Sequence, residues 1–245
     1  MFGLFSKSKA DKIDYSALGA DMHSHILPGI DDGSPDIETS LVLIRGLAAL
    51  GYKKLIATPH IMWDMYQNTP SIVNRQLDLV RNAVAKEGIE VEINAGAEYF
   101  LDEYVEEYLK RKDPLLTISE NKVLVEFSMA FPPLNVKDII FEMQMQGYQP
   151  VIAHPERYAY LKRNKEFYEE LRDAGCIFQL NLLSLGGHYG RTVTELAQYL
   201  LKNGFYTLAG TDLHHERHLE LLANLHGGPI FKELINSGKL LNKGL

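Results

Sequence analysis

The 245-residue sequence predicts an α/β fold, a distorted seven-stranded (β/α) TIM-like barrel in one domain, on three observations. Short apolar strands alternate with amphipathic helices along the whole chain. The strands are near-continuous apolar runs, as expected where both faces are covered. Glycine follows the helical stretches at Gly51, Gly88, Gly147, Gly175 and Gly204, the usual place for a helix to stop. An open doubly wound sheet is the architectural alternative.

The elements follow in order. Strands are read at 17–25, 54–60, 91–98, 122–128, 149–155, 176–181 and 205–212. The spacing of Ile37, Leu41, Ile44 and Ala48 predicts a helix over 35–50, with Ser34-Pro35 as cap and first turn. Val73, Leu77, Val80 and Val84 predict another over 71–87. No linker or shift in composition divides the chain. Residues 1–16 are read as a flexible N-terminal tail, or a partner-docking tag, and 17–245 as the folded domain. The start "MFGLFSKSKADK" has too short an apolar stretch for a signal peptide, and its lysines follow that stretch.

The bulk numbers exclude several function classes. The chain is 46% hydrophobic and 23% charged, enough to bury a full core. A net charge of -7 argues against binding nucleic acid or an anionic membrane non-specifically. No apolar run approaches a membrane span of ~20 residues. The single cysteine, Cys176, forbids an intrachain disulfide and fits a reducing compartment, so the expectation is a soluble cytoplasmic protein.

In α/β folds the chemistry collects at the C-terminal ends of the strands. There the sequence puts His23 and His25, then Asp31 and Asp32, His60, Glu98, His154, and Asp212 with His214. Each has an ordinary reading, as a structural histidine, a turn or a surface ion pair. Their concentration at five strand ends is what those readings fail to explain. Imidazoles with carboxylates and no thiolate suit Mn, Fe or Zn, and there are too many for one tetrahedral ion. A cluster of two or three divalent ions uses them all. Such a cluster acidifies a bridging water and clamps the oxygens around phosphorus.

The set "HSH" at 23–25, "TPH" at 58–60, "GAE" at 96–98, "HPER" at 154–157 and "TDLH" at 211–214 resembles the PHP (polymerase and histidinol phosphatase) superfamily. "HSHILPGIDDG" is similar to its branch of bacterial tyrosine-protein phosphatases that serve capsular and exopolysaccharide synthesis. The resemblance spans about residues 18 to 225, with the motifs in order. It implies three metal ions at the C-terminal face of a distorted barrel, with Mn favoured and Fe or Zn as alternatives. His23, His25, Glu98 and Asp212 would hold one ion, and Glu98 would bridge to a second that also takes His154. Asp32, His60 and His214 would hold a third, with Asp31 the alternative to Asp32. Arg157 and Arg217 match arginines that bind the substrate phosphate, a task suited to the guanidinium fork. Surface ion pairs are the ordinary alternative for both.

The implied reaction is attack of a metal-bound hydroxide on a phosphotyrosine, without a covalent enzyme intermediate. The implied partner is a tyrosine-phosphorylated protein, a bacterial tyrosine autokinase tail that regulates polysaccharide export. Residues exclude other routes. A cysteine-based phosphatase needs arginine six positions after its cysteine, and here Leu182 follows Cys176 at that distance. Neither a P-loop nor a dinucleotide fingerprint is present. The loops "IMWDMY" (61–66) and "MAFPP" (129–133) could flank an aryl ring or pack as a lid. "LGGHYGR" (185–191) could admit a phosphate or peptide, with His188 exposed rather than a ligand. His215, His218 and His226 are read as surface or helix positions. Two functions compete: a small-molecule PHP phosphatase such as histidinol phosphatase, and a non-catalytic PHP scaffold module.

Overall fold

Apolar strands covered on both faces assemble into two parallel sheets in the computed structural model, which describes residues 13–131, 134–225 and 229–245. The strands are β1 (Ala20–Ser24), β2 (Lys54–Ala57), β3 (His60–Ile61), β4 (Glu92–Ala95), β5 (Glu98–Phe100), β6 (Lys122–Glu126), β7 (Gln149–Ile152), β8 (Ile177–Asn181) and β9 (Tyr206–Gly210). The helices are α1 (Ile37–Ala49), α2 (Pro70–Lys86), α3 (Glu103–Arg111), α4 (Val136–Met145), α5 (Glu166–Asp173), α6 (Leu182–Leu185), α7 (Arg191–Lys202), α8 (Glu216–Ala223) and α9 (Pro229–Asn236). One sheet runs β1-β2-β4 and the other β3-β5-β6-β7-β8-β9.

The hydrogen-bonded ladders therefore do not close into the seven-stranded barrel expected from the sequence. Two expected strands are each cut in two. Thr58-Pro59 separates β2 from β3, where proline has no N–H for a ladder, and Gly96-Ala97 separates β4 from β5. The outer strands β1 and β9 share no ladder. The segment just past β9 meets β1 at an isolated bridge, Ser24 to Leu213, where the Asp212 N–H donates to the His23 carbonyl at 2.7 Å and the His25 N–H to the Leu213 carbonyl at 2.8 Å. Beside it the Asp21 carboxylate accepts from the Thr211 N–H at 2.9 Å and hydroxyl at 2.6 Å. A side chain thus serves where a ladder would otherwise run.

Local chemistry explains the helix boundaries. Asp36, not Ser34, caps α1 by accepting from the Thr39 N–H at 2.8 Å, so Pro35 stays outside the helix. The buried stripe of α1 is Ser40, Leu43, Ile44 and Leu47, rotated from the spacing read in the sequence. In α2 the expected Val73, Leu77, Val80 and Val84 are the buried positions, behind a Thr69 cap. The five glycines expected after helices all have positive φ, which only glycine adopts without strain.

One apolar cluster joins residues from Tyr15 to Leu234. Tyr15, placed by the sequence reading in the tail, is buried and donates its hydroxyl to the Leu222 carbonyl at 2.8 Å. The remainder of that tail, residues 1–12, lies outside the described residues. A second cluster, including Met22, Ile56, Leu124, Val151 and Leu208, fills the space enclosed by the strands. Above it, where the strands end, the interior turns polar.

Candidate metal centre

Six strand ends aim ligand-type side chains at one point. His23 lies in β1 and His25 just after it, His60 opens β3, Glu98 opens β5, Glu126 closes β6, and His154 and Asp212 follow β7 and β9. The backbone turns sharply at the last two, with φ of 31° at His154 and 50° at Asp212. Both are non-glycine residues in the left-handed region, a strain that collects at functional sites.

Glu98 stands at the centre. Its Oε2 lies 3.2 Å from His23 Nε2, 3.5 Å from His25 Nε2 and 3.2 Å from His60 Nδ1. Its Oε1 is 3.1 Å from His154 Nε2. Asp212 Oδ1 completes one side, 3.4 Å from His23 Nε2 and 3.5 Å from both His25 Nε2 and His214 Nδ1. On the other side, Asp32 Oδ1 faces His60 Nε2 at 3.5 Å and His214 Nε2 at 3.6 Å. Four overlapping groups of potential ligand atoms result: His25, Asp32, His60 and His214; His23, His154 and Asp212; His23, His25 and Glu98; and His60, Glu98 and Glu126.

A ring of outer contacts orients the imidazoles. Asp31 Oδ2 is 2.8 Å from His25 Nδ1, and its carboxylate also accepts from the Gly33 and His60 N–H groups. Gln179 Oε1 is 3.0 Å from His23 Nδ1, and the Asp212 carbonyl is 2.9 Å from His214 Nδ1. With acceptors at Nδ1, these three rings are assigned as Nδ1–H tautomers, which leaves the Nε2 lone pairs facing the cluster. Asp31 is therefore fully engaged in orienting, while Asp32 keeps an oxygen toward two histidines.

The electrostatics show how strained the group is by itself. Burial favours a neutral Glu98, yet the His23 and His60 charges and the His154 bond hold it well below the usual carboxylate range. Burial, then the Glu98 and Asp212 charges, push Glu126 well above that range. Burial and the His25 charge lower His60 to about 4. Bonding to His214 draws Asp32 down to about 2. Glu98 Oε2, His60 Nδ1 and His154 Nδ1 are buried without a hydrogen-bond partner. Unsatisfied ligand-type atoms of this kind, in an oxygen and imidazole set without thiolate, fit divalent metal ions.

The cluster forms the floor of a cavity of about 420 Å³. Arg157 and Tyr189 stand on its wall. The guanidinium donates from Nη1 to Asp212 Oδ2 at 2.7 Å and lies 4.6 Å from the Tyr189 ring centroid. Asn181 Nδ2 donates to the same Asp212 oxygen at 2.9 Å and to the Tyr189 hydroxyl at 3.2 Å. Arg217 is different. It is exposed in the first turn of α8 and does not line the cavity, so the structure does not bring it to the cluster.

His215 and His218 do line the cavity, His218 lowered to about 4 by burial and the His215 charge, whereas His188 is exposed. His226, Pro132 and Pro133 lie outside the described residues. Met129 reaches the cavity, and the Tyr66 ring stacks on His60 at 5.6 Å. Trp63 instead packs on Tyr104. Cys176 is buried, its thiol pushed up to about 12, and is no nucleophile. Three site residues escaped the sequence reading: Glu126, Gln179 and Asn181. A glutamate closing the apolar run "KVLVE" was the signal for the first.

Comparison with known proteins accords with this geometry. The chain is 31% identical over 196 residues to the tyrosine-protein phosphatase YwqE of Bacillus subtilis, covering 80% of this chain and 77% of that one. It is 27% identical over 228 residues to the tyrosine-protein phosphatase CpsB of Streptococcus pneumoniae, covering 87% and 93%. A solved structure from work on these two "unique metal-dependent tyrosine phosphatases" superposes with a TM-score of 0.76 at 28% identity, over 91% of this chain and 94% of the other. An amidohydrolase from Mycoplasma synoviae, at 14% identity and a TM-score of 0.50, shares the fold alone. The model of the family "Capsular polysaccharide synthesis, CpsB/CapC" matches residues 19–220, and the chain belongs to that family.

Proposed function

We propose that the protein is a metal-dependent protein-tyrosine phosphatase, a phosphoric monoester hydrolase. The observation that carries this reading is the group of His, Asp and Glu side chains around Glu98, with one arginine on the cavity wall above it. His23, His25, Glu98 and Asp212 would hold one ion. Glu98 and His154, with Glu126, would hold a second, and Asp32, His60 and His214 a third. Mn is the favoured ion. Bound there, divalent ions would acidify a water for attack on phosphorus and neutralise the phosphoryl oxygens.

The chain's own residues do the rest. Arg157 presents its free guanidinium nitrogens to the phosphoryl oxygens while Asp212 and Tyr189 hold its plane. Asp31 and Gln179 keep His25 and His23 facing inward. Met129 and Tyr189 offer apolar and aromatic walls to the tyrosyl ring. Residues 17–245 act as one catalytic domain, a reading supported by the single large apolar cluster. The physiological substrate is the phosphorylated tail of a tyrosine autokinase that controls capsular polysaccharide synthesis, in keeping with the family, and the compartment is the cytoplasm. No helix among the described residues is long and apolar enough to cross a membrane.

Phosphate release tests this reading, with a phosphotyrosyl peptide and histidinol phosphate assayed in parallel under Mn²⁺ and under a chelator. Chelator-sensitive hydrolysis of the peptide alone is expected. Preference for histidinol phosphate would keep the metal centre and overturn the substrate, and inertness toward both would favour a scaffold.

A further inference from the structure

Two loops leave the catalytic cavity in the same direction. One runs from His60 to Trp63 and Asp64, the other from Glu126 and Met129 to Phe131, and both end in a groove of about 960 Å³. Its apolar wall is the Trp63 ring stacked on Tyr104, with centroids 4.0 Å apart and planes at 13°, together with Phe131. Trp63 is 38% exposed and Phe131 66%.

The charge of this groove is one-sided. Asp64, Asp102, Glu103, Glu106 and Glu107 line it against a single lysine, Lys110, whose ammonium is already held by Glu107 at 2.8 Å. Asp102 is spent on capping α3, where it accepts from the Tyr104 and Val105 N–H groups. Asp64 and Glu103 are exposed, and among the described residues neither makes a close ion pair of the kind that joins Glu107 to Lys110, although Lys110 still feels the Glu103 charge. The catalytic cavity has the opposite task, because Arg157 and the metal centre are built for an anion.

We propose that this groove binds the polypeptide flanking the phosphotyrosine and selects a lysine or arginine next to an apolar residue. The apolar stem of the basic side chain lies along Trp63 and Phe131, and its charge meets Asp64 and Glu103. Continuity with the cavity places the selected residue within a few positions of the phosphotyrosine, at ~3.3 Å of chain per residue. A flanking cation also relieves the repulsion between an acidic enzyme of net charge -7 and a phosphorylated segment. The inference rests on the phosphatase reading above and adds a sequence preference to it.

The test compares phosphotyrosyl peptides identical except for lysine or glutamate within four positions of the phosphotyrosine, with p-nitrophenyl phosphate as a substrate that cannot reach the groove. For the Mn²⁺-loaded enzyme, kcat/KM should favour the lysine peptide about three- to tenfold, the range of two exposed ion pairs, and added salt should narrow the gap. The D64N/E103Q variant should lose most of that preference and keep its rate on p-nitrophenyl phosphate. Equal use of both peptides would overturn the groove and leave the phosphatase reading intact. No hydrolysis of either peptide would overturn both. Sedimentation supplies one more outcome: a dimer that D64N/E103Q dissociates would assign the groove to a second copy of the chain and overturn the proposal.

Discussion

Two buried polar sites in the strand-enclosed interior, one at Asn242 and one around Glu98, differ in how far the chain satisfies them. Where the strands begin, the buried Asn242 amide is fully used: Oδ1 accepts from the Ala209 N–H, and Nδ2 donates to the Ala20 and Ala209 carbonyls. Where they end, Glu98 Oε2, His60 Nδ1 and His154 Nδ1 have no hydrogen-bond partner at all. A polar group that the fold satisfies is there for the fold. The buried hydroxyls of Ser24, Tyr52, Ser184 and Thr207 also lack a partner, but among the described residues carboxylate and imidazole ligand atoms stand unsatisfied together at Glu98, His60 and His154, and that grouping marks the candidate metal centre.

Three substitutions can break or sharpen the comparison. The largest effect belongs to Glu98→Gln, which should lower turnover of a phosphotyrosyl peptide at least ~100-fold, the upper loss found for mere outer partners of a metal. Bound metal, measured by plasma mass spectrometry, should fall with it. Thermal melting of the metal-free protein should fall but stay cooperative, because the substitution removes the charge that His23 and His60 hold on Glu98. Unfolding of this variant would mean that the polar end is structural after all.

The second concerns Glu156, buried behind the site, where it accepts from the Asn181 N–H and the Tyr206 hydroxyl. Burial raises its pKa to about 7. The folded state therefore holds a proton that the unfolded chain has already released, so stability should decline as pH rises from about 4.5 toward 7 and level off above that. Urea titrations across this range should show a loss on the order of 3 kcal/mol, and Glu156→Gln should flatten that part of the curve. The smallest effect is expected at the other end. Asn242→Ala should lose about 1–3 kcal/mol for the orphaned backbone groups, read from urea midpoints, with turnover per folded molecule unchanged.

The legibility of the sequence followed the same division. Strands β1, β7 and β8 and the Val73–Val84 stripe were readable because period and burial agree there. The breaks at Pro59 and Gly96 were not, because apolar character continues across them while hydrogen bonding stops. The centre could be read through its histidines, which are conspicuous at strand ends. Glu126 was hidden by an expected strand that ran on to Ser128 and so made it look interior. Gln179 and Asn181 were hidden because amides are not ligand-type residues, and their work is to orient those that are. Arg217 was singled out by a spacing of three after His214, whereas it sits exposed in the first turn of α8 and outside the cavity lining, a placement that spacing does not encode.

The left-handed backbone at His154 and Asp212 has a consequence for how such a molecule changes over generations. Each such residue costs on the order of 1–3 kcal/mol, and glycine would accept either position without strain. A lineage released from the need for catalysis would thus gain durability by discarding these two side chains first. Keeping histidine and aspartate there trades robustness for ligand side chains that glycine does not have.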